Sequence, residues 1–184
     1  PGLSVVTFVG QVNNPPMLAA VPDQTINAGV TLLVTNVATD PDLPAQNLTF
    51  SLVNGPAGAA LETFSPSNAL ITWRPMVSQS RTTNSFAVKV TDSGSPSLSA
   101  TNSFTVTVNP LGSQPSIHSI VSTAGASLNL EITGPTGPDY TILTSTNLFD
   151  WQSLLTSNSP ATPFTLTVTN QNDPARYYRI QIGP

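Results

Sequence analysis

Residues 37–50, which read VATDPDLPAQNLTF, and residues 90–99, which read VTDSGSPSLS, decide the fold. In both stretches, apolar and β-branched residues lead into a cluster of Asp, Pro, Gly and Ser, which is how a β-strand enters a turn. Such clusters recur roughly every 8 to 12 residues along the chain, as they do in β-sandwiches. The sequence therefore predicts an all-β chain, and its 18 prolines would interrupt helices almost anywhere.

The composition excludes several classes of protein. Charged residues are 8% of the 184 and the net charge is −4, whereas an average soluble protein has roughly 25% charged residues. Five basic residues cannot supply the phosphate contacts that nucleic-acid binding needs, so nucleic acid is excluded as a partner. The chain has no cysteine for disulfides or thiolate chemistry and no apolar run of membrane-spanning length. It opens at Pro1 without a signal-peptide pattern, and we expect it to be a mature or excised part of a longer protein.

Residues 1–14 form a leader that repeats the pattern of residues 96–109. With one residue deleted, the alignment pairs Leu3 with Leu98, Phe8 with Phe104, and Val12 with Val108. The leader therefore resembles the last strand of a preceding repeat, and a lone apolar strand must pair with a sheet edge. We expect it to pack along a neighbouring β-module or to complete the sheet of another copy of the protein; a frayed leader is the alternative. The residues of this assembly strand would be Leu3, Val5, Phe8 and Val12.

Residues 15–110 are predicted to form one β-sandwich. Its candidate strands are 18–21, 24–28, 31–38, 48–53, 59–64, 70–75, 85–91 and 101–108. Every second residue is apolar in 86–90 and in 104–108, so one face of each strand would enter a core. Trp73 alternates with Ile71 and is expected to lie in that core rather than on the surface.

Motifs along this region resemble those of a known family. They are residues 14–16, 22–29, 38–44, 47–52, 55–59, 71–75 and 90–96. Their order is similar to that of the bacterial cadherin-like and Ig-like repeats of secreted surface proteins. The resemblance implies an extracellular or cell-surface location and a structural or adhesive role in a larger assembly. Two features depart from it: the acidic Asp-Arg-Glu-type motif of cadherins is missing, and Asn13 and Asn14 stand where a cadherin linker usually carries Asp.

Residues 111–114 read as a linker, and residues 115–184 as a second sandwich. Its candidate strands are 117–123, 127–133, 139–145, 151–155, 164–168 and 175–182. Residues 140–151 and 175–180 resemble a C-terminal β-domain of secreted proteins from Verrucomicrobia, and also fibronectin type III modules. The expected architecture is thus a leader strand, a cadherin/Ig-like sandwich and a fibronectin III-like sandwich.

A calcium site is predicted where the acidic turns meet. An Asp-x-Asp turn aims the carboxylates of Asp40 and Asp42 to one side, and Ca²⁺ takes about six to eight oxygen ligands. The cadherin resemblance brings Asp92 to the same end, where Asn14 and Asn47 would add amide or backbone oxygens. With so few acids we expect one Ca²⁺ ion. The alternative is that Asp40 and Asp92 only cap their turns by accepting backbone hydrogen bonds.

The residues available for catalysis are few, and we expect no enzyme. His118 is the single histidine, and the two glutamates, Glu62 and Glu131, belong to different modules. The rival to a structural role is a carbohydrate-binding accessory module of a polysaccharide-degrading enzyme, in which exposed aromatic rings stack on sugars. The aromatic candidates are Trp73, Trp151, Tyr140, Tyr177 and Tyr178, of which Tyr177 or Tyr178 should be exposed because they face opposite sides of one strand.

Overall fold

The computed structural model describes residues 12–123, 127–169 and 175–183. Within these ranges the chain is all-β, with one short 3₁₀ turn at Val77–Gln79. No helix of the described part is long and apolar enough to cross a membrane. The first eight strands are β1 (Met17–Leu18), β2 (Gln24–Ile26), β3 (Leu32–Thr39), β4 (Thr49–Asn54), β5 (Ala60–Ser65), β6 (Asn68–Trp73), β7 (Thr83–Thr91) and β8 (Ser99–Val108). They are followed by β9 (Ser116–Thr123), β10 (Ser127–Thr133), β11 (Asp139–Ser145), β12 (Gln152–Ser157), β13 (Phe164–Thr169) and β14 (Tyr177–Gly183).

Strands β1 to β8 form two four-stranded sheets that face each other. One sheet has the order β1-β3-β6-β5 and the other the order β2-β8-β7-β4. Pairing is antiparallel except between β2 and β8, which run parallel from Gln24 opposite Val106 to Ile26 opposite Val108. We call this unit the first sandwich.

The core of the first sandwich comes from the alternation that the sequence displays. Strand β3 alternates buried and exposed side chains along its whole length. Every second residue from Phe86 to Val90 and from Phe104 to Val108 is buried, as predicted. Trp73 is 1% exposed and meets Phe86 edge to face at 5.5 Å, and Phe86 stacks on Phe104 at 5.1 Å. The prediction that Trp73 belongs to the core is confirmed, and its indole N–H donates to the carbonyl of Ala57.

Strands β9 to β14 form two three-stranded sheets, with the orders β13-β10-β9 and β12-β11-β14. We call this unit the second sandwich. Its core is smaller, and its fully buried members include Leu130, Ile132 and Ile142. Tyr140 is also buried there: its ring meets Phe164 edge to face at 5.7 Å, and its hydroxyl donates to the carbonyl of Pro135 at 2.7 Å. Burial raises the pKa of Tyr140 above its usual value.

Each strand predicted from sequence has a counterpart in the structure; the predicted strands 127–133 and 139–145 match it at both ends, and the others differ at one end or both. The predicted strand 70–75 is shifted to Asn68–Trp73. Pro75 lies beyond its end, and the Pro75 carbonyl accepts the N–H of Gly29 at 2.7 Å. The last strand begins at Tyr177 rather than at residue 175, and Trp151 lies just before β12 instead of opening it.

Candidate functional site

The predicted acidic residues lie at one end of the first sandwich. Asp40 and Asp42 follow β3, and Asp92 follows β7. The segment that enters the sandwich, Val12 to Asn14, crosses this end and bonds to both turns. The sandwich therefore brings residues from three separate parts of the chain to one place, which we call the amide–carboxylate network.

Two asparagines attach the entering segment to the acidic turns. The Asn13 side-chain amide donates to Asp92 Oδ2 at 3.1 Å and to the carbonyl of Pro96 at 2.9 Å. The backbone N–H of Asn14 donates to Asp42 Oδ2 at 2.8 Å, and its side-chain amide to Asp42 Oδ1 at 2.7 Å. These asparagines stand where the sequence departs from the cadherin pattern, and their amides donate directly to the carboxylates.

Gln46 connects the two asparagine attachments. Its side-chain amide nitrogen donates to Asp42 Oδ2 at 3.0 Å and also to the side-chain oxygen of Asn13. Neither Gln46 nor Asn13 was among the residues that the sequence predicted for the site. The available signals were the position of Gln46, four residues after Asp42, and the alignment of Asn13 with Asn109 in the internal repeat.

Asp40 and Asp92 also cap their own turns, as the alternative interpretation expects. Asp40 Oδ1 accepts the N–H of Asp42 at 2.9 Å. Asp92 Oδ1 accepts the N–H groups of Gly94 at 3.0 Å and Leu98 at 2.9 Å. Burial disfavours the charged form of Asp92, but the N–H groups of Leu98 and Gly94 and the amide of Asn13 outweigh it and lower its pKa. The negative charge at this end is therefore fixed in place.

Two buried acceptors of the network have no hydrogen-bond partner among the described residues: Asp40 Oδ2 and Gln46 Oε1. A buried oxygen without a donor costs free energy, and a hard cation would satisfy it. Asn47 takes part through its backbone, since its N–H donates to the Ser93 hydroxyl at 3.0 Å. The part of the chain that the structure describes contains no group of three Asp, Glu or His side chains able to hold a metal. An ion here would therefore depend on amide and backbone oxygens as well as on carboxylates.

The predicted assembly strand lies almost entirely outside the described residues. Leu3, Val5 and Phe8 fall in residues 1–11, so their pairing stays a prediction. Val12 is described, and its side chain is 81% exposed.

The opposite end of the first sandwich contacts the second. The Arg74 guanidinium donates to both carboxylate oxygens of Asp139, at 2.7 and 3.1 Å, and its Nε donates to the carbonyl of Gly29 at 2.6 Å. Asp139 Oδ1 also accepts the N–H of Ser159 at 2.9 Å. Hydrogen bonding by Arg74 is the main cause that lowers the pKa of Asp139. No sequence motif joins the two residues of this pair, which are 65 positions apart in the chain.

Two glycines let the backbones of the two sandwiches touch. Gly29 has φ +78°, and a Cβ added there would meet Gly137 and the Cα of Pro138. Gly137 has φ +113°, and a Cβ there would meet the carbonyl oxygen of Ala28 and, at 3.0 Å, a methyl group of Val30. A side chain at either position would separate the two surfaces. We call these glycines, together with Arg74 and Asp139, the inter-sandwich joint.

The aromatic and catalytic candidates are dispersed. Trp73 and Tyr140 are buried in separate cores, and Trp151 is covered by Arg179, whose guanidinium lies 4.3 Å from the indole centroid. Tyr177 is 39% exposed and Tyr178 half-buried, which agrees with the predicted division of that pair. His118 is exposed on β9, and Glu131 accepts a hydrogen bond from the Ser119 hydroxyl at 3.0 Å. Glu62 is on β5 of the other sandwich.

Comparison with known proteins supports the fold. No family model matches the chain, and no curated protein matches it. Among solved structures, an endo-fucoidan hydrolase of glycoside hydrolase family 107 is similar over 95% of this chain and 27% of its own length, with 18% identity and a TM-score of 0.50. The chain thus spans about a quarter of that hydrolase. The tandem Ig repeats of Dlar are similar over 71% of this chain and 70% of theirs, with 10% identity and a TM-score of 0.34. At 18% identity, the likeness to the hydrolase shows the fold alone.

Proposed function

We propose that the chain is a non-catalytic structural module, a spacer or adhesive element of a secreted or cell-surface assembly. The observation that carries this proposal is the inter-sandwich joint. A bidentate Arg–carboxylate pair fixes direction as well as distance, because both components are planar. Together with the contact between Gly29 and Gly137, it supports a pair of sandwiches that keeps one orientation and transmits force along the chain.

Calcium would stiffen the other end of the first sandwich. The two unpartnered oxygens, Asp40 Oδ2 and Gln46 Oε1, fit a hard cation, and the neighbouring carboxylate of Asp42 supplies charge. Binding would require Asp42 to exchange an amide donor for the ion, with Asp92 and the backbone of Asn47 nearby as further oxygen sources. Because modules of this kind are expected outside the cell, where Ca²⁺ is millimolar, even a weak site with Kd of about 10⁻⁴–10⁻³ M would be at least about half occupied.

We further propose that the chain is the subunit of a fibre, in which each copy donates its leader strand to the sheet of the next copy. The leader repeats the sequence of β8, a strand held between β2 and β7 in its own sheet, so the same pattern is suited to pairing. A chain lacking residues 1–11 keeps Asn13 and Asn14 and should stay monomeric under conditions in which the full chain assembles. If the shortened chain formed the same filaments, strand donation would be wrong.

The structural proposal is tested by measuring the distance between the two sandwiches. The chain has no cysteine, so a spin label can be attached at two chosen positions only. Thr63→Cys on β5 and Thr165→Cys on β13 place one label on the exposed surface of each sandwich. A fixed joint predicts a narrow distance distribution by pulsed electron paramagnetic resonance. A distribution as broad as that of two freely linked domains would refute a stiff spacer.

A further inference from the structure

The loop between β11 and β12, residues 145–151, is held rigid by its own hydrogen bonds. The buried Ser145 hydroxyl accepts the N–H groups of Asn147 at 3.2 Å and Leu148 at 2.9 Å. Asn147 Oδ1 accepts the N–H groups of Phe149 at 2.9 Å and Asp150 at 2.8 Å, and its amide donates to Asp150 Oδ2 at 2.7 Å. The loop is thus ordered before any ligand arrives, which lowers the entropic cost of binding.

This rigid loop presents an aromatic ring to solvent. Phe149 is 88% exposed, more than any other large apolar side chain described. The preceding residue, Leu148, has φ +65°, a left-handed conformation that is strained for a residue with a Cβ. The Trp151 indole N–H donates to the Leu148 carbonyl at 3.0 Å and fixes that conformation. A strained backbone that displays an exposed ring stabilises no core, and such features concentrate at binding sites.

A polar cavity of about 460 Å³ lies against the same loop. This volume falls within the roughly 300–1,000 Å³ that is typical of small-molecule sites. The side chains that line it carry amides, hydroxyls, one carboxylate and one guanidinium; they include Thr144, Asn147, Asp150, Gln152, Ser153 and Arg176. A smaller cavity of about 280 Å³, lined by Leu155 and Leu166, shares Leu154 with it. The site therefore offers both donors and acceptors beside an apolar wall.

One hydroxyl of this lining lacks a partner. Thr144 Oγ1 is buried and has no hydrogen-bond partner among the described residues. Tyr178 lies opposite Thr144 in the pairing of β11 with β14, and its hydroxyl is also buried without a hydrogen-bond partner among the described residues. The Thr144 hydroxyl, which lines the cavity, would be satisfied by a ligand that carries hydroxyl groups of its own.

We propose that this loop and cavity bind a pyranose unit of a neutral polysaccharide. A sugar ring combines hydroxyl groups, which suit the Asp150 and Gln152 side chains, with an apolar face that stacks on a ring such as Phe149. The single carboxylate and single guanidinium of the lining favour an uncharged ligand, and the net charge of −4 opposes a polyanion. The site belongs to the second sandwich alone, so it does not depend on the structural role proposed above.

Affinity electrophoresis tests the proposal, with neutral polysaccharides (xylan, glucomannan, laminarin and starch) and anionic alginate each cast separately into the gel. We expect retardation by at least one neutral polysaccharide and none by alginate. Phe149→Ala should weaken binding about tenfold or more, since exposed aromatic anchors dominate such contacts. Phe64→Ala, which removes a 59% exposed ring from the first sandwich, is the matched control and should bind as the wild type does. Both variants should keep the wild-type Tm.

Thr144→Val separates binding from folding. The substitution replaces an unpartnered hydroxyl with a methyl group of similar size, so the Tm should stay equal or rise while retardation falls. The proposal is overturned if no neutral polysaccharide retards the chain, if only alginate does, or if Phe149→Ala is retarded as strongly as Phe64→Ala. None of these outcomes would change the distance distribution across the inter-sandwich joint, so the two proposals fail separately.

Discussion

The two ends of the first sandwich are attached to the neighbouring segments of the chain by different chemistry. One end holds the segment that precedes the sandwich, and the other end holds the second sandwich. At the inter-sandwich joint a cation from one side meets a carboxylate from the other. At the amide–carboxylate network, every donor to Asp42 and Asp92 among the described residues is a neutral amide or a backbone N–H. A charge that is paired with its opposite is neutralised, whereas one held by dipoles keeps its full field.

The consequence is that the two ends should respond to different conditions. At the joint, Asp139 accepts from Arg74 at both oxygens and from Ser159, and closely packed glycines flank the pair. At the network, no Lys or Arg of the described residues forms an ion pair with the carboxylates, and two buried oxygens there have no donor in the same part of the chain. At the joint, residues of the chain itself supply the donors to the Asp139 carboxylate. The network instead has oxygens that could bind an added ion.

Breaking the close contact of the joint should have the largest effect. Gly137→Val adds a side chain where the carbonyl of Ala28 lies against the backbone, at a φ that β-branched residues avoid. We expect the spin-label distance distribution to broaden and the free energy of unfolding to fall by about 1–3 kcal/mol from backbone strain. Gly58→Val is the matched control, because Gly58 also has a positive φ, of +84°, but has nothing near its missing Cβ.

The control separates strain from contact. Both valine variants should lose stability, but only Gly137→Val should change the distance between the sandwiches. Equal broadening in both, or in neither, would mean that the glycine contact does not hold the joint.

The strands were predictable because their signal is local. In β7 and β8 the alternation of Phe86, Val88 and Val90 with polar neighbours is visible within a few residues, and so is the turn that ends each strand. The same periodicity places Trp73 in the core. The sequence did not predict where every strand begins and ends. Strand β12, for example, begins after Trp151 rather than at it, because pairing with the neighbouring strand decides where hydrogen bonding starts.

The joint was not predictable because its parts are dispersed. Arg74 and Asp139 have no shared motif, and Gly29 and Gly137 read as turn residues whether or not anything packs on them. The network was half predictable: acidic turns indicate Asp42, but only the three-dimensional arrangement brings Asn13 to it through the side chain of Gln46.

Removing the charge pair should have an intermediate effect. Arg74→Met keeps much of the apolar stem but leaves Asp139 without its cation. We expect the free energy of unfolding to fall by about 1–2 kcal/mol, less than for a fully buried pair, because the Arg74 side chain is 32% exposed and water screens the charges. Arg81→Met, which removes an exposed guanidinium elsewhere, should change little. A double-mutant cycle with Asp139→Asn should be non-additive, and additive losses would show that the pair contributes nothing as a pair.

Acid should reproduce the effect of Arg74→Met. Arg74 lowers the pKa of Asp139 below its usual 3.8, so the carboxylate binds its proton less readily in the folded protein than in the unfolded one. Stability from the pair is therefore fully present above the unfolded pKa, at about pH 5, and is lost as the pH falls through the lowered folded pKa. The distance distribution of the wild type should therefore broaden only when the pH falls below 3.8 and through the lowered pKa of Asp139. In Arg74→Met it should already be broad at pH 7 and should change less with acid.

Calcium should have the smallest effect, and only at the network. If the Kd is about 10⁻⁴–10⁻³ M, 1 mM Ca²⁺ stabilises the folded chain by about 0.4–1.4 kcal/mol, measurable as a rise in Tm and as heat on titration. Asp40→Asn removes the charge of the carboxylate whose Oδ2 has no partner among the described residues, and it should abolish both signals. Asp23→Asn, which alters a carboxylate bound instead to the N–H of Thr105, should keep them. An unchanged Tm and no heat in the wild type would leave Asp40 and Asp92 with the capping of their turns as their only role. The distance across the inter-sandwich joint should not change with Ca²⁺ in any variant, because the ion would act at the other end of the sandwich.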